Sequence, residues 1–161
     1  MKKYELTEET VTVYGKTLYR IRAVRDFGSV KTGEFGGYIE KEENLSHFGN
    51  AWVSGNAWVF DNARVYDNAW VFGDAWVSGN AEVFNTRHFF VQGPIGSRNG
   101  FITFYRTKDN TVEVRCGCFS GSLQKFVDRV EETHGGSRYE KEYKLAAELA
   151  KVCIRLEGES R

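Results

Sequence analysis

No stretch of the 161 residues stays apolar for the roughly 20 positions a membrane-spanning helix needs. No membrane partner is therefore expected. The N-terminal MKKYELTEE is charged and lacks the apolar core of an export signal, so none is expected there either. Charge is balanced, with 22 basic and 22 acidic residues. That argues against a general nucleic-acid binder, which needs a basic surface. Cysteine is scarce. Cys116, Cys118 and Cys153 form an odd set without a disulfide-scaffold pattern, and reduced cytoplasmic thiols are the simplest reading. Histidine is as scarce: His47, His88 and His134 lie 41 and 46 residues apart. A three-histidine zinc site with two ligands close in sequence is not available at that spacing. Neither the P-loop nor the dinucleotide fingerprint is present. No metal and no cofactor is expected.

What the chain does have is a six-residue period. Between 51 and 86 it reads AWVSGN, AWVFDN, ARVYDN, AWVFGD, AWVSGN and AEVFNT. Ala recurs at 51, 57, 63, 69, 75 and 81, and Val at 53, 59, 65, 71, 77 and 83. Two degenerate copies precede these, beginning at Ile39 and Leu45. Six suits neither the 3.6-residue helix nor the coiled-coil heptad. It suits a coil of short parallel strands joined by sharp corners. Side chains alternate along a strand, so Ala and Val point inward and Trp outward. The Gly-Asn, Asp-Asn and Gly-Asp corners reach left-handed backbone conformations at low cost.

The run Val-Ser-Gly-Asn-Ala-Trp resembles the hexapeptide motif of the left-handed parallel β-helix family. In that family three hexads make one triangular coil, so residues 18 apart stack. Trp52 then falls over Trp70, Trp58 over Trp76, and Arg64 over Glu82, which matches the one Arg hexad with the one Glu hexad.

On either side of the repeat the pattern changes. VTVY and TLYRIRAV flank Gly15-Lys16 and read as a hairpin, with Tyr19, Ile21 and Ala23 on one face. Arg20 and Arg22, with Lys16 and Arg25, make a basic strip on the other. A glycine-rich connection follows. After Thr86, GFITFYRT and TVEVRCGC read as two strands around Lys108-Asp109-Asn110. Leu123, Phe126, Val127 and Val130 recur at helical spacing up to Gly135. Ser137 with Glu140 reads as a capping box for a second helix. The expected fold is thus mixed β and α+β: a short left-handed parallel β-helix (39–86), an N-terminal β-hairpin with its connection (1–38), and a C-terminal ββαα cap (87–161).

YGKTLYRIRAVRDFG, GGYIEKEENLSHFGNAWV, GPIGSRNGFITFYRTKDN and VRCGCFSGSLQKFVDRVEETHG together resemble a group of proteins common in phages and prophages. The resemblance implies a phage context, hence the cytoplasm of an infected bacterial host, and a β-helix stem with a cap. It implies no particular activity.

Three kinds of candidate site follow. The outward aromatics, Trp52, Trp58, Trp70, Trp76, Phe60 and Phe72, form an apolar surface that something must cover: another copy of the chain or the chain's own terminal segments first, a stacked ligand next. Resemblance suggests a homo-oligomer, with a trimer the first guess. Among histidines, hexapeptide acyltransferases use one as a general base. His47 falls at an inward, Val-equivalent position and His134 at a helix end, which leaves His88 as the best placed. Cys116 and Cys118 share one strand face and read as structural. The third is GPIGSRNG. Its Gly96-Ser97-Arg98-Asn99 core offers backbone donors and a guanidinium to an anion. With His88 and Phe90 expected nearby, it reads as a site for a phosphate-bearing, nucleotide-like small molecule.

The preferred function is a non-catalytic, phage-type binding protein that sequesters such a host immune signal or another host factor. A structural oligomerisation module and a hexapeptide acyltransferase using acetyl-CoA are the alternatives. The enzyme reading is disfavoured because the regular hexads make only two full coils and extrude no loop.

Overall fold

The computed structural model describes residues 1–158. The chain opens with an antiparallel hairpin, β1 (Tyr4–Val13) and β2 (Lys16–Ala23). Tyr14 and Gly15, both at positive φ, form its turn, one residue earlier than expected. Ile21 and Ala23 are buried, but Leu18 is buried in place of Tyr19. Irregular pairing between Arg20 and Arg22 switches the inward face there. Three residues of the basic strip pair with acids, Arg20 with Glu9 at 3.0 Å, Lys16 with Asp61 at 2.8 Å, and Arg22 with Glu5, while Arg25 donates to the His47 carbonyl at 3.2 Å. β3 (Phe35–Ile39) adds antiparallel to β2.

Each hexad then contributes two strand residues and a corner: β4 (Trp52–Val53), β5 (Trp58–Val59), β6 (Arg64–Val65), β7 (Trp70–Val71), β8 (Trp76–Val77) and β9 (Glu82–Val83). Parallel pairing places Trp52 beside Trp70, Trp58 beside Trp76 and Arg64 beside Glu82, 18 residues apart. All six hexad alanines and all six valines are buried. At the corners Asp61 and Asp67 take positive φ, as do Gly55, Gly73 and Gly79.

The first coil follows a different register. Ile39 pairs with Val59 and Leu45 with Val65, so both are 20 residues from their partners and occupy Val positions. By Asn50, which donates to the Asp67 carbonyl at 2.9 Å, the spacing is that of the later coils. The two extra residues lie in the 46–50 corner. His47 is therefore not an inward residue. It stacks on Tyr4 at 4.1 Å and its Nε2 meets Glu42 at 2.9 Å.

The expected fold class needs correction. The described residues do not form a regular left-handed β-helix. One series of hexad strands is absorbed into a five-stranded mixed sheet, β1-β2-β3-β5-β8, in which the hairpin and the repeat are continuous. The other two series are separate two-stranded pairs, β4-β7 and β6-β9. Two residues per strand and two copies per face are too few to extend a coil. Both ends are closed by other segments. At one end Lys3 Nζ donates to the Ala51 carbonyl at 2.6 Å and the Tyr4 hydroxyl to that of Leu45 at 2.6 Å. Burial, helped by Arg25, pulls the Lys3 pKa down to about 8. At the other end Trp76 N donates to Thr103 Oγ1 at 2.9 Å, and Ala81 bridges to Thr107.

The C-terminal unit carries two more strands than the expected ββαα. β10 (Phe89–Ile95), β11 (Gly100–Arg106), β12 (Val112–Cys116) and β13 (Phe119–Ser122) form a four-stranded antiparallel sheet. Its buried Ile102, Phe104 and Val114 pack against α1 (Leu123–His134) and α2 (Arg138–Cys153). The expected capping box of α2 does not form. Ser137 Oγ donates back to the His134 carbonyl at 2.6 Å, closing α1, and Glu140 accepts from Gly136 N. No helix among the described residues is long and apolar enough to cross a membrane.

Candidate functional site

The 96–99 turn joins β10 to β11. Gly96 (φ 79°) and Asn99 (φ 52°) supply its left-handed positions, and Asn99 N donates to the Gly96 carbonyl at 3.3 Å. α2 fixes the turn from behind. Gly96 N donates to Glu142 Oε1 at 2.8 Å. A Cβ on Gly96 would collide with the Tyr143 hydroxyl, so only glycine lets the turn pack this closely. The consequence for anion binding is specific. The Gly96 amide is already taken by a carboxylate, which leaves Ser97 and Arg98 as the turn's donors to a ligand. Both are exposed, and the Arg98 guanidinium has no ion-pair partner among the described residues.

Arg98 and Ser97 line a cavity of about 920 Å³ between the hexad face and the C-terminal unit. One wall is the aromatic ladder of the five-stranded sheet. Trp58 and Trp76 stack with centroids 4.4 Å apart and planes 12° apart. Tyr38 continues the ladder beside Trp58 and is anchored through its hydroxyl to Glu9 at 2.7 Å. That hydrogen bond, with burial, raises the Tyr38 pKa, so the phenol stays protonated. Asn56 and Asp74 reach the cavity from the adjoining corners. The opposite wall is Ile95, Phe101, Tyr143 and the α1 end with Thr133 and His134. Cys116 and Cys118 close one side. They do not share a strand face: Gly117, at φ 58°, turns the chain between β12 and β13, leaving Cys116 half-buried and Cys118 exposed. Burial, more than the neighbouring Cys118, raises the Cys116 pKa. A smaller cavity of about 550 Å³ on the other side of the turn takes Gly96, Ser97 and Asn99 with Arg138 and Glu142.

The six expected ligand contacts therefore divide. Arg98 faces the larger cavity, Gly96 and Asn99 the smaller, and Ser97 borders both. His88 and Phe90 line neither. The seven residues of β10 intervene, and at about 3.3 Å per residue they carry the turn roughly 20 Å from His88. Phe90 packs at the edge of the C-terminal core, its ring 6.1 Å from Phe104. His88 is buried, and its Nδ1 accepts from Phe84 N at 3.2 Å. A histidine so committed is poorly placed to serve as a general base.

The expected interface residues also divide. Trp52 and Phe60 are buried within the chain. Trp52 lies under Phe27 (5.2 Å) and Tyr4 (6.5 Å), and Phe60 packs with Val13 and Leu18. Trp58, Trp70 and Trp76 are half-buried, and Phe72 alone of the six is exposed, at 46%. Outward alternation was a sound guide to direction. Of the expected kinds of cover, the chain's own segments near the N-terminus are the ones found on Trp52 and Phe60. Reasoning from sequence also missed Asn56, Asp74, Phe101 and Tyr143 as cavity residues. The corner signal was there for Asp74, which stands where other corners carry Asn. For Phe101 and Tyr143 no local signal exists, because their role comes from the docking of α2.

Neither a family model nor a curated protein matches the chain.

Proposed function

We propose that this chain is a non-catalytic binder of a small ligand that combines a planar ring with a phosphate. The ligand sits in the cavity between the Tyr38, Trp58 and Trp76 ladder and the 96–99 turn. The observation that carries the reading is the meeting of the Arg98 guanidinium, without an ion-pair partner among the described residues, with stacked tryptophans around one space of about 920 Å³. That volume is within the usual range for small-molecule sites. Ring stacking on an aromatic side chain contributes about 1–3 kcal/mol per base, and a guanidinium can hold a phosphate in bidentate fashion. The resemblance to phage proteins gives the reading its biological form: sequestration of a nucleotide-like immune signal in the cytoplasm of an infected host. Self-association has less support than ligand binding, since Trp52 and Phe60 are buried within the chain and Trp58 and Trp76 face the cavity.

The test is titration of the purified protein with nucleoside monophosphates, followed by tryptophan fluorescence and by calorimetry. Trp58 and Trp76 line the cavity, so occupancy should change their emission. Arg98→Ala is expected to weaken binding by about 1.5–3 kcal/mol, the scale of a charged hydrogen bond. Its melting temperature should stay unchanged, because the side chain is exposed. Equal affinity in wild type and variant would remove Arg98 from the site.

A further inference from the structure

The second residue of the hexad corners is Asn at positions 50, 56, 62, 68 and 80, Thr at 86 where the repeat ends, and Asp only at 74. Asp74 is also the corner that opens, with Asn56, onto the cavity beside the tryptophan pair. Its carboxylate is half-buried and has no ion-pair partner among the described residues. The fold does not require an acid here, because the same corner closes with Asn five times over. An acid at this aromatic wall, where the fold does not need one, suits a ligand that donates hydrogen bonds.

We infer that Asp74 reads the base of the ligand and that the base is guanine-like. The inference rests on the proposed function, in which Arg98 holds the phosphate. The cavity is then bipolar, with a cation on the turn and an acceptor on the coil. An ionised carboxylate only accepts, through two oxygens side by side. Guanine presents two donors side by side, N1–H and the N2 amino group, and meets both oxygens at once. Adenine and cytosine offer a single amino group with an acceptor nitrogen next to it, which would face the carboxylate and repel it. A uracil or hypoxanthine ring offers one imino donor beside a carbonyl or a C–H. Asn56, from the coil before, lines the same cavity, and its backbone N–H donates to the Gly73 carbonyl next to Asp74 at 3.1 Å.

Calorimetry with guanosine, inosine, adenosine and xanthosine monophosphates tests this on wild type and Asp74→Asn. A matched pair of hydrogen bonds is worth at least roughly tenfold in discrimination. Wild type should therefore bind GMP at least roughly tenfold more tightly than AMP, with IMP between. Asp74→Asn restores the residue found at the other corners, so it should fold. It should lose the preference for GMP and gain affinity for XMP, whose C2 carbonyl accepts from the new amide. Equal binding of GMP and AMP, with both still dependent on Arg98, overturns the base assignment and leaves the phosphate site standing. An unchanged preference in Asp74→Asn overturns it equally. Absence of binding by all four nucleotides overturns the proposed function and this inference with it.

Discussion

His88 makes the acid stability of this protein predictable. Its ring is 5% exposed and accepts a hydrogen bond from Phe84 N through Nδ1, so the proton of the neutral ring sits on Nε2. A second proton would face the Phe84 N–H and place a charge near Arg106. Burial, more than Arg106, lowers the His88 pKa from 6.5 to about 4, against a small opposing effect of Glu157. The unfolded chain therefore takes up the proton first as pH falls. Above pH 6.5 the residue contributes nothing to the pH dependence. Between pH 6.5 and about 4 the folded state loses stability, and below that the loss is complete. At 1.36 kcal/mol per unit the whole effect is about 3 kcal/mol at most. Urea denaturation across this window should show it. Glu42 and Asp61, whose pKa values are also lowered, destabilise the acid side too. Their effect cancels when wild type is compared with His88→Asn, in which an amide oxygen replaces the Nδ1 acceptor and nothing titrates. The wild-type curve should fall away from the variant's by most of that amount. Parallel profiles from pH 6.5 to 4 would refute the buried neutral ring.

Trp52→Ala should cost about 3–5 kcal/mol in the unfolding free energy of the single chain, the usual range for a buried tryptophan; an interface role would lower oligomer mass in light scattering and leave that free energy intact. Gly36→Ala should lower the urea midpoint markedly, because its Cβ would lie 2.7 Å from Ile21, 2.8 Å from Trp52 and against the Val53 carbonyl. Overpacking of this kind costs about 1–3 kcal/mol or more, and an unchanged midpoint would mean that β3 does not sit on the coil so closely.

How much of this was legible in the sequence depends on how far apart the partners lie. Ala57, Val59 and Trp58 were assigned their directions from a local period, and their partners 18 residues on followed from it. His47 was misplaced by the same reasoning, because two extra residues in the 46–50 corner break the period and nothing local marks where the register changes. Trp52 was assigned to an interface because Tyr4 and Phe27 approach it from distant positions. The anion donors of the 96–99 turn were recognisable as a composition. That Glu142 consumes one of them depends on the docking of α2, some 46 residues later. The cavity has no sequence signature, since its walls run from Val11 to Tyr143.

A repeat gives every position the same environment by default, so its departures from the pattern carry the information. Arg64 and Glu82 replace the tryptophans of their hexads, and they sit side by side in β6 and β9. Tyr66 serves both: its ring lies under Arg64 at 5.6 Å, and its hydroxyl donates to Glu82 at 3.3 Å. The two substitutions compensate within the coil. The two residues added at 46–50 are also used internally, since they release His47 to stack on Tyr4 and close the coil's end. Asp61 and Asp67, which replace corner glycines, hold the same positive φ; Asp61 adds the bond to Lys16, and its carboxylate accepts from Gly79 N at 3.1 Å. Asp74 differs from all of these. Among the described residues no cation pairs with it, and it borders the cavity that Arg98, likewise without an ion-pair partner among them, also lines. Charges of opposite sign left apart across one aromatic space favour a ligand with complementary ends more than they favour the fold. The stacked Trp58 and Trp76 in the same cavity provide a surface against which the ring of such a ligand can lie.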